Sequence, residues 1–378
     1  MSYSNAIGII FPNIYDELVP ELVQERLMAS IPFASRYRLI DFLLSSMVNS
    51  GIENVVIVPR KRYHSLLDHL GSGREWDLVR KNGGLTIFPP FAENISQDHM
   101  GRIPTLAGIL RMLSEKKEKY IVMADTNIAA TFDFSAMIAE HEAKGADITV
   151  AYINEKIPED CISIDNRKGY HYTYDIAENG RITGIRLNPT TQDVQNYSMN
   201  YYLINRELLV NLLHDAINAG GVFFERDIML PHLNDLNIYG YEFKGYAARI
   251  TSLTSYANEN LKLLENGNMA ALLNGMNVNT KVHDNTPTIY KKGSKAENVM
   301  IAGGCIIEGE VTNCVLFRGV KIEKGAKVSN SILLQDTVVK AGAVVDHIVT
   351  DKDVTITEGA SLAGTESFPV YVGKGKIV

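Results

Sequence analysis

Over the first two thirds of the chain, short apolar runs alternate with stretches in which apolar residues recur every three or four positions. Runs at 6–11, 54–58, 120–124 and 147–153 have the length and composition of buried strands, and the segments 38–50, 62–71, 106–118 and 134–144 have helical spacing. This alternation predicts a doubly wound, mostly parallel sheet whose ligands sit at the carboxyl ends of its strands. Between 162 and 204 the pattern shortens to strand, turn and strand, with Glu178-Asn179-Gly180-Arg181 as a turn, which predicts an antiparallel flap over the cleft. Residues 205–220 read as a capped helix. The segment 256–274 reads as one long amphipathic helix, with Leu261, Leu264, Met269 and Leu272 apolar, followed by a polar stretch at 277–287.

From about residue 288 the texture changes. Val320, Ala326, Ile332, Val338 and Val344 recur every six residues, as do Ile322, Val328 and Leu334, and Ile356 and Leu362 repeat the spacing later. A six-residue apolar period predicts a parallel β-helix in which small inward side chains stack from coil to coil. A β-sandwich would instead show a period of two. The expected organisation is an α/β domain at 1–255, a helical connector at 256–287 and a solenoid at 288–378. The solenoid's open ends and flat faces suit subunit association better than catalysis.

The net charge of −7 provides no field to gather nucleic acid or anionic lipid, so neither partner is expected. Cys161, Cys305 and Cys314 are odd in number and lack metal-ligand spacing, which reads as buried thiols in a reducing compartment. With no secretory pattern at the N-terminus and no apolar run of membrane-spanning length, the expected location is the cytoplasm.

The chemistry turns on the loop after the first strand. The frame of strand, loop and helix belongs to nucleotide-binding enzymes, where the loop needs glycines to bring backbone N–H groups to a phosphate, and cations to neutralise it. Here it reads Pro12-Asn13-Ile14-Tyr15-Asp16-Glu17-Leu18-Val19, with no glycine, lysine or arginine, and with two carboxylates where a triphosphate would lie. Asp125 follows an apolar strand and should stand at the sheet's carboxyl rim, as a metal ligand or as a turn residue. Asp227 is either a second metal carboxylate or an acid satisfying the first turn of a helix.

One segment resembles a known family. Arg36-Tyr37-Arg38-Leu39-Ile40-Asp41-Phe42-Leu43-Leu44-Ser45, with Val48-Asn49-Ser50-Gly51-Ile52, is similar to the (K/R)YRxIDFxLSNxxNSGI segment of the ADP-glucose pyrophosphorylase (glucose-1-phosphate adenylyltransferase) family. The resemblance runs over essentially the whole chain. It implies a Rossmann-like nucleotidyltransferase domain followed by a left-handed parallel β-helix.

Active members of that family carry AGGxGTRLxPLT and then RAKP. By the resemblance, Asn13, Ile14 and Asp16 stand in the glycine loop, and Met28 stands where a lysine would help neutralise the transferred phosphate. Asn188 replaces the lysine of the sugar-phosphate motif, and Arg249-Ile250-Thr251-Ser252 replaces DVGT. The motif acids persist as Asp125, in Ala124-Asp125-Thr126, and as Asp227, in the step resembling KDIIP. Losing one electrostatic donor typically costs about a hundredfold in rate, and several are gone. This is the profile of the family's regulatory, GlgD-type subunits, which pair with a catalytic GlgC-type subunit in bacterial glycogen synthesis.

The resemblance therefore implies a non-catalytic partner in a hetero-oligomer, expected to be a heterotetramer, with a homo-oligomer open to the chain alone. No cofactor is expected. Arg36 and Arg38 fall where the family links basic residues to activator binding. The alternative is an active or weakly active adenylyltransferase in which Asp125 and Asp227 hold magnesium. An acyltransferase site in the solenoid would need a catalytic histidine, and His347 is the solenoid's sole candidate.

Overall fold

The computed structural model describes residues 4–81, 83–89, 101–162 and 171–378. The strands expected near the start form one parallel core, in which Ala6–Phe11 pairs with Asn54–Ile57 on one side and Tyr120–Asp125 on the other, and Gly84–Ile87 extends the edge. The sheet turns antiparallel at Val194–Asn205, which pairs with both Tyr120–Asp125 and Ile148–Lys156. Ile238–Glu242 then runs parallel to Ile148–Lys156. The hairpin Tyr172–Ile176/Ile182–Leu187 continues the same sheet, its turn closed by Gly180 at φ 83°. Residues 163–170 of the expected flap lie outside the described residues.

Helix Leu39–Asn49 begins where the sequence pattern placed it, because the Asp41 carboxylate reaches back and accepts the Arg38 N–H at 2.9 Å. Helix Phe134–Lys144 is capped by the Asp133 carboxylate, and Arg206–Asn218 by the Asn205 side chain.

Two helices differ from expectation. The segment expected at 106–118 is two short helices, Arg102–Ala107 and Leu110–Glu115. The first starts earlier because Pro104 sits in its opening turn, where no N–H is required. The long helix at 256–274 is likewise two, Leu253–Lys262 and Asn268–Leu273, interrupted by Gly267 at φ 90°.

The solenoid is a stack of parallel strands: Ile306–Ile307, Lys321–Ile322, Val338–Val339 and Thr355–Ile356 on one face, and Glu310–Leu316, Lys327–Ser329 and Val344–Asp346 among those on another. Its later coils advance 17 residues, as in Lys321↔Val338 and Val338↔Thr355, so strict counting by six slips by one position per coil. Val320 and Ala326 are buried in the solenoid's own core, whereas Ile332 is buried against the sheet domain, and in the next coil the buried residues are Thr337, Ala343 and Val345, with Val344 46% exposed. At one corner, Asn298, Asn313 and Asn330 adopt positive φ, and their side chains form a ladder: Asn298 to Asn313 (2.9 Å), Asn313 to Asn330 (2.7 Å) and Asn330 to Asp346 (2.9 Å).

Two apolar cores fill the faces of the sheet, and a third joins the two halves of the molecule. In that third core Tyr15, Leu18, Val19, Leu22 and Met28 pack with helix Leu253–Lys262 and with Val315, Phe317, Ile332 and Leu334 of the solenoid. The loop after the first strand is thus built into the junction between the α/β sheet and the β-helix.

Candidate functional site

The loop 12–18 has folded in on itself. Asp16–Leu18 forms a single 3-10 turn, and the Asp16 carboxylate accepts the Met28 N–H at 2.8 Å while Pro12 O accepts the Ala29 N–H at 3.0 Å. The loop and the segment that follows it are therefore stitched together by bonds that an open anion cradle would leave for ligand. Asn13 and Met28 are buried, and Ile14 packs against the apolar cores on both sides. Asp16 is buried as well, and that burial pushes its carboxyl up to about 7 despite the Met28 bond and the nearby charges of Lys61 and Arg62.

Strand Tyr120–Asp125 delivers Asp125 to the sheet's carboxyl rim, where it is fully buried against Arg102. The Arg102 guanidinium bonds Asp125 through Nη2 and Glu225 through Nη1, the latter at 2.5 Å, and the Tyr202 hydroxyl donates to Glu225. Its plane lies 4.9 Å from the Tyr202 ring. Burial raises the Asp125 carboxyl to about 6 even though Arg102 pulls the other way, and the two carboxylates hold the Arg102 charge firmly against the cost of its burial.

Gly101 puts Arg102 there. A Cβ at 101 would meet Val222 O at 2.0 Å, so this close approach to the 222 backbone requires glycine. Asp227 supports the same contact, accepting the N–H groups of Val222 (2.7 Å) and Phe223 (2.8 Å) and pairing with Arg226 (2.6 Å).

The structure therefore separates the two motif acids. Asp227 is committed to the backbone and to Arg226, and Glu225 is the carboxylate that stands across Arg102 from Asp125. At the position resembling the acid of DVGT, Arg249 is buried, bonds Glu155 (2.7 Å) and Ser198 O (2.8 Å), and lies 3.8 Å over the Tyr197 ring. Magnesium, which the active alternative requires, does not suit this set: both centres carry a guanidinium, and no group of three or more metal-ligating side chains occurs among the described residues.

Asn188, at φ 50°, exchanges two hydrogen bonds with the His171 backbone and so closes the base of the hairpin. A polar groove of about 870 Å³ remains beside Arg249, lined in part by Glu155, Asp160, Thr251, Ser255 and Glu366.

Of the basic candidates, Arg36 is exposed and lies 5.3 Å over the Tyr37 ring. Arg38 turns inward and donates to Ser65 O (2.6 Å) and Oγ (3.0 Å). Burial lowers its pKa to about 10, and the Arg26 and Arg318 charges press in the same direction. Burial, with Arg38, Arg26 and Arg318 near, drops Lys352 to about 8 and, with Arg318 and Lys281 near, His283 to about 4. A concentration of cations thus lies between the sheet domain and the β-helix.

Arg102, Glu225, Arg318 and Lys352 did not emerge from the sequence pattern. Glu225 left a trace, since it sits one residue after Phe224 and three before Ile228 on the apolar side of its turn, where an acid needs a buried partner. Arg318 and Lys352 lie 34 residues apart, two coils of the solenoid, and only coil stacking brings them to one side.

Comparison with known proteins gives two family matches, Nucleotidyl transferase over residues 21–252 and the GlmU-like C-terminal hexapeptide over 281–366. The glycogen biosynthesis protein GlgD of Geobacillus stearothermophilus is 36% identical over 324 residues, covering 85% of this chain and 82% of that protein. GlgD of Bacillus subtilis (strain 168) is 31% identical over 329 residues, 87% and 84% of the two chains. The glucose-1-phosphate adenylyltransferase of Mycoplasma mobile is 30% identical over 301 residues, 78% and 77%.

Proposed function

Because the chain belongs to the nucleotidyl transferase family, among the glucose-1-phosphate adenylyltransferases and GlgD proteins, we propose that it serves glycogen biosynthesis as a regulatory or scaffolding subunit that does not itself transfer nucleotide. The observation that carries this reading is the buried Arg102 between Asp125 and Glu225. A phosphoryl-transfer site works by positioning a triphosphate and neutralising it with metal and cations. Here Asp125 already has its cation, Asp227 is a backbone cap, and the loop that would hold the phosphates is part of the apolar junction.

Its role is then exercised through contact with a catalytic relative of the GlgC type, in a hetero-oligomer of which a heterotetramer is the expected form. The cations around Arg38 support a second part of the reading, in which an anionic effector binds between the sheet domain and the solenoid. Arg38, Arg318 and Lys352 would hold it, with Arg36 outside.

The test is an assay of ADP-glucose formation from ATP and glucose 1-phosphate. The purified chain is expected to be silent, and its addition to the catalytic relative is expected to change rate or effector affinity. Robust turnover by the chain alone would establish the enzymatic alternative. Unchanged kinetics with no co-elution would refute the regulatory one.

A further inference from the structure

We propose that the first coil of the solenoid is a docking edge for an acidic β-strand of a second, different polypeptide, and that its charge and its side-chain ladder turn away another copy of this chain. This rests on the reading above that the chain acts through a partner.

Among the described residues, Ile289–Tyr290 pairs only with Ile306–Ile307, and Lys295–Ile301 only with Glu310–Leu316, so the outer side of the coil is open. Ile289 and Lys291 give their N–H groups to Cys305 O and Ile307 O of the next coil, each at 2.9 Å. Tyr290 between them therefore turns its own N–H and C=O away from the stack. Such an edge is a template for one more strand. It also carries apolar surface, with Ile289 47% and Tyr290 55% exposed.

Charge selects the strand. Lys291, Lys292 and Lys295 stand on this coil against the single acid Glu297, all four exposed, in a chain whose net charge is −7. Lys295 is shared with Glu310 of the next coil at 3.3 Å, and Lys291 and Lys292 face outward at the turn. Two such coils brought together would oppose lysine with lysine, whereas an acidic strand meets opposite charge.

The asparagine ladder adds a direction. Burial pushes the Asp346 carboxyl up, but bonds from Ser329, Asn330 and His347 outweigh it and hold the group below its ordinary value, so it is ionised and only accepts. Asn330 must give it Nδ2, take Asn313 Nδ2 on its own Oδ1, and so pass one orientation along to Asn298. The ladder thus ends at the open coil in Asn298 Oδ1, an exposed acceptor. In a two-fold contact between copies each would bring that acceptor and neither a donor to match it. A different chain can supply the donor.

The experiment uses the full-length chain mixed with its catalytic relative, with the dissociation constant read by sedimentation at about 0.05 M and about 0.5 M salt. Lys291→Glu combined with Lys292→Glu should weaken association roughly tenfold or more at low salt, and the difference should shrink at high salt. Lys321→Glu, the same kind of reversal on an exposed lysine two coils in, should change it far less. Tyr290→Pro removes an outward N–H and leaves the inward bonds, so it should weaken association at both salt concentrations. If the proline variant does not fold, the charge reversal decides.

Association that is unchanged in the double reversal, or weakened equally by Lys321→Glu, would overturn the proposal while leaving the regulatory reading in place. So would a homo-oligomer of the parent chain that the double reversal dissociates, since a second copy would then be the occupant. No association of the parent with the relative would overturn both readings together.

Discussion

Arg26 leaves the folded-in loop segment and crosses to the solenoid, where its Nη2 meets Asp351 at 2.6 Å with both side chains almost wholly buried. Removing one member of a buried pair strands the other, typically at ~3–5 kcal/mol. Asp351 keeps two other donors, the Tyr371 hydroxyl at 2.8 Å and the Lys352 N–H at 2.7 Å, so Arg26→Ala should fall at the low end, ~3 kcal/mol.

At about 2 °C per kcal/mol for a chain of this size, the melting temperature should drop by about 6 °C. Trp76 is the single tryptophan and is buried in the sheet domain, so its fluorescence follows that domain while calorimetry follows the whole. Replacing both partners by leucine removes the charge along with its counter-charge and should cost less than the single change, within ~1 kcal/mol of the parent. The reasoning fails if Arg26→Ala melts within ~0.5 kcal/mol of the parent, as an exposed substitution would, or if the double variant is the worse of the two.

Asp16 gives a pH signature. Its folded pKa is raised from 3.8 to about 7, so its contribution to stability is full below about pH 4 and is lost as the pH rises through 7. Asp16→Asn, which keeps the acceptor for the Met28 N–H, should therefore gain on the parent between pH 4 and 8, by at most ~4 kcal/mol, in melts taken across that range. Asn330→Ala should destabilise the solenoid by ~1–2 kcal/mol in denaturant titration, since it loses two ladder bonds and leaves at φ 45° a residue that tolerates left-handed backbone less well than asparagine. Met28→Lys should lower the melting temperature and restore no synthesis, because position 28 faces the apolar junction. If an anionic effector binds at the junction as proposed, Arg38→Ala should weaken the response to it of the chain mixed with its catalytic relative, measured as a rise in the half-saturating concentration, and should spare co-elution.

The parts of the fold legible in the sequence were those fixed by local pattern. The first strand was read at 6–11 and found as Ala6–Phe11, and helix Phe134–Lys144 was read at its observed bounds, because burial on both sheet faces and an Asp133 cap leave local signatures. The solenoid was legible as a class but not in register. Its apolar period follows from stacking, whereas the 17-residue coil is set by tight corners such as Asn330 and His347, which hold left-handed φ and drop a residue that counting by six assumes.

The site was legible only as a deficit. Missing glycines and lysines can be read one by one. The replacement charges cannot, because the Arg102–Glu225 pair spans 123 positions and the Arg26–Asp351 pair 325, and nothing at either end announces its partner.

The deficits and the gains occur in the same residues. The loop that lacks a phosphate cradle supplies Tyr15, Leu18, Val19 and Leu22 to the core shared with Phe317 and Leu334, and a segment a few residues on supplies Arg26 to Asp351. A loop that cradles a phosphate draws on glycine's conformational freedom, which comes at a cost in conformational entropy. Filling it with apolar side chains exchanges that mobility for a rigid junction between the sheet and the β-helix. The cations of Arg38, Arg318 and Lys352 lie along the same junction. A junction stiffened in this way can pass a change in charge between the sheet domain and the solenoid, since packed interfaces rearrange between discrete states and do not deform continuously. If Asn13 and Ile14 are both changed to glycine, the loop should loosen and amide exchange at 12–31 should accelerate. Effector response in the mixed assembly should then weaken although every cation remains in place. An unaltered response with faster exchange would place the coupling elsewhere.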